Sequence, residues 1–299
     1  MEHPAIVVGE AHARNGERDL IQAGEQLRQR GVAVAESHLE SGAKAVCKRI
    51  RRAVKSGAKL IVVCGGDGTL TAAVGELAHT KTVLGVVPAG TGNSFSSSLG
   101  IGNSLEAAFD AIAYGEVARV DVGVANGVYF ANFATIGLAS EIGAETPHWL
   151  KAKLGPVAYG ITAIKPILRQ RPFKAHVRWK KNRLDLETRQ IIVVSGRDYG
   201  HTPVTPEASL TNGMLTFFAT ERTGALDTIK TYAAFLTRSQ TSLPEVHYFQ
   251  AERITIKTSR RVRVAIDGEM LCKTPVTFRI EPKALRVMVP SAQATEAHA

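Results

Sequence analysis

Cysteine is scarce in this chain, and its three copies, Cys47, Cys64 and Cys272, stand at no metal-ligand spacing. An odd count without a pattern argues against a disulfide framework and for free thiols in a reducing cytoplasm. Long hydrophobic runs are also missing. The stretch that comes nearest, Leu154 to Leu168, is interrupted by Lys165 and Pro166 and is too short to cross a bilayer. No apolar signal segment opens the chain, because Glu2 and His3 lead into a short strand pattern. There is no zinc spacing, no aromatic RNA-binding signature and no recognition-helix pattern, so nucleic acid is not expected as a partner. No Gly-Lys-Ser/Thr follows a glycine turn, which excludes the P-loop, and the glycines miss the dinucleotide spacing as well. Acidic residues are the minority, 27 against 37 Lys and Arg, for a net charge of +10. That balance by itself favours anionic membrane surfaces, nucleic acid or polyphosphates.

What is present starts with Leu60-Ile61-Val62-Val63-Cys64-Gly65-Gly66-Asp67-Gly68-Thr69-Leu70. Five uncharged residues predict a strand buried in a parallel sheet. Gly65, Gly66 and Gly68 then surround Asp67 before Thr69 and a helix start. A strand, a glycine turn and a helix N-terminus can hold phosphate, because backbone N–H groups converge and glycine lets the anion approach. Without a lysine, backbone dipoles and Mg²⁺ must neutralise the charge. Asp67 then positions a metal or water, since a bare carboxylate repels polyphosphate. An ordinary Asp-Gly turn explains the same residues structurally.

A second glycine loop follows about 25 residues later: Val83-Leu84-Gly85-Val86-Val87-Pro88 reads as a strand, and Ala89-Gly90-Thr91-Gly92-Asn93-Ser94-Phe95 follows it. Ligands of open α/β sheets bind where loops meet beyond the carboxyl ends of strands. Thr69 and Thr91 offer hydroxyl donors to phosphate and Asn93 an amide; helix capping is the alternative for each.

The paired motifs Gly65-Gly66-Asp67-Gly68-Thr69 and Gly90-Thr91-Gly92-Asn93 resemble the diacylglycerol kinase catalytic-domain family, which includes bacterial lipid kinases and, more remotely, sphingosine and ceramide kinases. The resemblance continues through Arg119-Val120-Asp121, Asn126-Gly127, Phe130-Ala131-Asn132 and Pro206-Glu207-Ala208-Ser209-Leu210. It ends with Asp267-Gly268-Glu269 and Leu285-Arg286-Val287. It implies an ATP-dependent, Mg²⁺-requiring kinase that phosphorylates a lipid hydroxyl, most commonly that of diacylglycerol. Gly65, Gly66, Asp67, Gly68, Thr69, Gly90, Thr91, Gly92 and Asn93 would bind nucleotide. Glu269 would be the catalytic base, with Asp67 as the second catalytic residue. A metal would sit on the Asn212 side chain and the carbonyls of Ser209 and Met214. Asn212 departs from the family's aspartate, and a plain Asn-Gly turn is its other reading. Gly9-Glu10-Ala11-His12 replaces the Asn-Pro-x-Ser-Gly opening, His38 replaces a threonine and Ser94 replaces an aspartate. A kinase of a soluble acceptor, as in NAD kinases, and a non-catalytic nucleotide- or lipid-binding protein stay open as alternatives. Against NAD kinase, no Asn-Glu pair follows the first loop.

The 299 residues suffice for two cores. Alternating strands and helices over 1–121 predict a parallel α/β nucleotide-binding domain. Expected strands are Ala5–Gly9, Val32–Ala35, Leu60 onward and Val83 onward. Expected helices are Glu17–Arg30, Ser41–Gly57 and Leu105–Tyr114, the last capped by Ser104. Residues 122–290 switch to β alternation around an Asn126-Gly127 hairpin, which predicts a mostly antiparallel sandwich that binds the acceptor, with helices over Leu154–Leu168 and Leu226–Leu236. Residues 291–299 read as a tail. Lys48, Arg51, Arg52 and Lys55 should face outward from the second helix, either as a solvated face or as a membrane-surface contact. The expected setting is therefore cytoplasmic with peripheral membrane association. Expected partners are a lipid at an anionic surface, ATP, and a second copy of the chain if it forms a homodimer. His12, His38 and His201 lie too far apart in sequence to suggest a metal site.

Overall fold

The computed structural model describes residues 4–11, 15–90, 92–138, 140, 171–196, 198–199, 202–205, 207–221, 224–237 and 239–291. The chain forms two compact units. One runs to Val122 and resumes at Pro282, and the other is Gly123–Glu281.

The first unit alternates strand and helix as its periodicity predicts: β1 (Ala5–Glu10), α1 (Gly16–Gln29), β2 (Val34–Glu40), α2 (Ala43–Lys55), β3 (Leu60–Gly65), α3 (Asp67–Leu77), β4 (Val83–Pro88), α4 (Ser94–Ser98) and α5 (Leu105–Tyr114). β1 pairs in parallel with β2 and β3, and β3 with β4. All six residues of β3 are buried, which is why the run carries no charge. β2 is an exposed edge strand. Its polar Glu36-Ser37-His38 segment hides a strand that extends five residues beyond the expected end. Ser104 caps α5 by accepting the Ala107 N–H at 3.2 Å, as expected. Leu20, Leu27, Val62, Phe109 and Ile112 are among the core residues of this unit.

Register places the functional loops. Val62 lies opposite Gly85, and Gly65 opposite Pro88, so β3 and β4 end at the same height. The two glycine turns must therefore leave the sheet side by side.

β5 (Glu116–Ala125) enters the second unit and pairs with β6 (Val128–Phe130) through the expected turn, in which Asn126 and Gly127 both have positive φ, 47° and 91°. β7 (Phe133–Gly137), β8 (Phe173–Trp179), β9 (Asn182–Thr188) and β10 (Gln190–Val194) follow. Next come the two-residue strands β11 (Asp198–Tyr199) and β12 (Thr202–Pro203), then β13 (Leu215–Thr220) and α6 (Ala225–Leu236). The unit continues through β14 (Val246–Ala251), β15 (Arg253–Thr258), β16 (Arg263–Ile266), β17 (Glu269–Lys273) and the start of β18 (Val276–Val289). One sheet has the order β14-β13-β10-β7-β16-β17, and in the other β18-β15-β8-β9 are neighbours. Ile136, Val193 and Phe217 from the first share a core with Val177, Ile256 and Phe278 from the second. This is the predicted sandwich. The helix expected over Leu154–Leu168 and the tail from 292 onward lie outside the described residues.

β18 is continuous, and its Arg286 and Val287 pair in parallel with Val83 and Leu84 of β4 in the first unit. Glu281-Pro282-Lys283 reads as a break in the sequence. The strand survives because the buried Asp121 carboxylate accepts the Lys283 N–H at 2.8 Å, where φ is +53°.

Candidate active site

The two glycine loops meet. A Cβ on Gly90 would lie 2.6 Å from the Gly66 Cα, and one on Gly66 would lie 3.2 Å from the Gly90 Cα. Neither residue has room for a side chain, because the two backbones touch. Gly65 packs on Thr69, where an added Cβ would come within 2.6 Å of the threonine's own Cβ. The result is a concentration of backbone N–H groups at the start of α3, with glycines rather than larger residues at the meeting point of the two turns.

Asn93 shapes the second loop. It has φ +47° and ψ +39°, and it precedes α4. Its side-chain oxygen accepts the Gly90 N–H at 3.0 Å. Its amide donates to the Gly90 carbonyl and to Asn103 Oδ1, each at 2.9 Å. Both amide donors are engaged, and the residue is buried. Asn93 therefore braces the loop in this structure. Asn103, its partner ten residues on, carried no signal in the sequence.

Asp67 joins the loops. Its carboxylate accepts the Phe95 N–H at 3.3 Å and the backbone N–H groups of Ser94 and Asn93, at and just before the start of α4. It also crowds Gly92, where a Cβ would sit 2.7 Å from Asp67 Oδ2. The residue keeps some exposure, but protein surrounds the carboxylate itself. Desolvation raises its pKa and outweighs the three amides, which lower it. A carboxyl with a raised folded-state pKa stabilises the fold below its unfolded pKa, about 3.9, and that contribution is lost as pH rises through the folded value. A carboxyl whose pKa is raised by burial is a pattern common at functional sites.

Thr69 was expected to offer its hydroxyl to phosphate. It is buried, and the hydroxyl donates instead to the Glu10 carboxylate at the tip of β1. Glu10 was visible in sequence only as a departure from the Asn-Pro opening. Its strand-end position beside β3 was the signal that could have marked it. Thr91 lies outside the described residues, as do His12 and His201. His38 lies on β2 opposite Val8, with its Nε2 2.6 Å from Glu36 Oε2.

In the second unit, Asp267 and Gly268 form the turn between β16 and β17 with φ of +44° and +87°. Asp267 is more than a turn residue. Its carboxylate accepts the N–H groups of Ala131 at 2.8 Å, Asn132 at 3.1 Å and Phe133 at 2.8 Å, while its own N–H donates to the Phe133 carbonyl at 2.8 Å. The Phe130-Ala131-Asn132 and Asp267-Gly268-Glu269 stretches, remote in sequence, are thus one structure. Glu269 opens β17 exposed and pairs across the turn with Ile266, and its side chain has no hydrogen-bond or ion-pair partner among the described residues. Asp267→Ala should lower the stability of the protein by about 3 kcal/mol, because buried amides lose their acceptor. Urea unfolding measures this, and a loss below about 0.5 kcal/mol would mean the anchor is dispensable.

Asn212, the side-chain member of the expected metal set, is engaged by bonds within its own loop. Asn212 Oδ1 accepts the Met214 N–H at 3.0 Å, and its Nδ2 donates to the Glu207 carbonyl at 3.2 Å. Ser209 Oγ accepts the Thr211 N–H at 3.2 Å. The donors proposed for a cation, Ser209, Asn212 and Met214, are all neutral, and the described residues hold no cluster of three His, Cys, Asp or Glu. This set fits an Asn-Gly turn and does not fit Mg²⁺, which favours charged oxygen ligands.

The family described as diacylglycerol kinase catalytic domain matches residues 5–125, and that described as YegS C-terminal NAD kinase beta sandwich-like domain matches residues 135–289. The chain belongs to the diacylglycerol kinase catalytic-domain family. This lipid kinase family member is 28% identical over 242 residues to a diacylglycerol kinase of Staphylococcus epidermidis, covering 80% of this chain and 77% of that one. It is 28% identical over 243 residues to a diacylglycerol kinase of Staphylococcus aureus, with the same two coverages, 80% and 77%. An uncharacterized protein of Synechocystis is 27% identical over 271 residues. That match takes in 86% of this chain and 61% of the relative, so this family member spans less than two thirds of that protein. The fold is shared with a Bacillus anthracis crystal structure at TM-score 0.81 and 24% identity, covering 98% of both chains. A structure of a diacylglycerol kinase from the same organism gives 0.73 at 20% identity, also covering 98% of both.

Proposed function

We propose that this diacylglycerol kinase family member transfers the γ-phosphoryl group of ATP to the hydroxyl of a diacylglycerol-like lipid. The observation that carries this reading is the contact between Gly66 and Gly90, which brings the two glycine turns together beside the helix N-terminus of α3, where an anion is attracted. The nucleotide, when bound, supplies the phosphoryl group. Gly66, Gly68 and Gly92 hold its phosphates through backbone N–H groups, and Gly90, whose N–H is taken by Asn93, lets the two turns close on each other. Asn93 and Asp67 keep the two loops in register, and Asp67 would be the residue to hold a cation or water that accompanies the phosphates. Glu269 accepts the proton of the acceptor hydroxyl as its oxygen bonds to phosphorus, leaving ADP. The metal set at Ser209, Asn212 and Met214 takes no part in this account.

The acceptor is reached from an anionic membrane surface through the basic face of α2. Arg51 faces outward as expected and is paired there with Glu76 through two bonds, at 2.8 and 2.6 Å; Arg49 pairs with Glu40 at 2.8 Å. Lys44, Lys48, Arg52 and Lys55 are exposed and have no ion-pair partner among the described residues. No helix among the described residues is long and apolar enough to cross a membrane, and this face would supply surface attraction.

The test is transfer of label from γ-labelled ATP to a total lipid extract presented in anionic vesicles. Labelled phosphatidate-like product is expected, and its formation should weaken as salt rises and screens the surface. Label moving only to a soluble acceptor would replace the lipid reading. Nucleotide binding without turnover on any lipid would favour a non-catalytic binding protein, a reading supported by the loop-bound Asn212 amide.

A further inference from the structure

We infer that Glu10 sets the charge selectivity of the glycine cradle, rejecting a fully charged nucleotide and admitting one complexed to a divalent cation. The inference rests on the nucleotide-site reading above. β1 lies beside β3, with Gly9 opposite Cys64, so Glu10 stands at the height where the glycine turn begins. Gly16 passes so closely that a Cβ there would lie 2.0 Å from the Glu10 carbonyl oxygen, which fixes the backbone of Glu10. The carboxylate accepts the hydroxyl of Thr69, the third residue of α3.

A carboxylate therefore rests against the helix turn whose unpaired amides and dipole attract anions. With the Asp67 carboxylate two residues from Thr69, the cradle carries two acidic groups and, among the described loop residues, no lysine or arginine. Phosphate oxygens entering here meet like charge in a poorly solvated setting, where repulsion is felt over several ångströms. A divalent cation on the phosphates removes most of that repulsion. A backbone cradle without Glu10 would bind both forms of the nucleotide through the same amides.

The experiment measures affinity of the full chain for a fluorescent ATP analogue, once with magnesium and once with EDTA, in wild type and in Glu10→Gln. Glutamine keeps the shape and can still accept the Thr69 hydroxyl, so a purely structural role of Glu10 would move both affinities together. The expected result is a strong preference of wild type for the magnesium form that narrows about tenfold in the variant, through tighter binding of the metal-free form. Thr69→Val, which removes the hydrogen bond and keeps the charge, should retain the preference. A Glu10→Gln ratio equal to wild type overturns the role of Glu10 and leaves the nucleotide site standing. Binding by Glu10→Gln where wild type binds neither form supports the exclusion in its strongest version. Failure of both proteins to bind either form removes the nucleotide-site reading and this inference with it.

Discussion

Glu269→Gln is expected to lower turnover about 100-fold or more while leaving nucleotide affinity unchanged. The glutamate stands at the start of β17, exposed and with no partner for its side chain among the described residues, so its carboxylate is available to take a proton. Its backbone is held from behind. Asp267 ties the turn to Ala131, Asn132 and Phe133, and Gly268 supplies the left-handed conformation the turn requires. Glutamine fits the same space and retains an acceptor oxygen, but it cannot become a carboxylic acid. The variant thus removes proton transfer with little change in shape. Steady-state rates on lipid vesicles and direct nucleotide binding separate the two effects. Turnover equal to wild type would take Glu269 out of the mechanism. A parallel loss of binding and thermal stability would mean that it supports the hairpin instead.

Gly90→Ala should weaken nucleotide binding by about 100-fold. The new methyl would lie 2.6 Å from the Gly66 Cα and 2.9 Å from Asn93 Oδ1. Carbon atoms settle at about 3.5–4.0 Å, so the loops must part by about 1 Å. The first obstacle is backbone, which cannot rotate aside. The second is the side chain that already holds Gly90 at both its N–H and its carbonyl. Parting the loops separates the two sets of amides and breaks the Asn93 brace, at a stability loss of about 1–3 kcal/mol. Gly24→Ala is the matched control. It lies in α1, where the nearest atom to an added Cβ is the flexible end of Arg28 at 3.3 Å, and it should leave binding unchanged. Wild-type affinity in Gly90→Ala would mean that the contact between the loops does not hold the nucleotide.

Much of the fold was legible locally. β3 and β4 announce themselves because strands covered on both faces contain almost only apolar residues. Ser104 marks the start of α5, and Asn126-Gly127 marks a hairpin, because each motif satisfies its own backbone within a few residues. Where a strand meets solvent the signal fades, as in β2, whose middle is exposed. Where a strand runs through a proline, as β18 does at Pro282, only the Asp121 contact from far along the chain shows that it continues.

The glycine turns, the Asp-Gly-Glu hairpin and the family were determined by the sequence alone, since glycine positions and apolar runs express short-range backbone and burial requirements. The destinations of the polar side chains were decided by tertiary structure. Thr69 turned to Glu10, Asn93 to Gly90 and Asn103, Arg51 to Glu76, and Asp267 to the amides of 131–133. Most of these bonds join positions far apart in the chain. A hydroxyl, amide or carboxylate can satisfy any complementary group brought near it, and only packing of the whole unit determines which group that is.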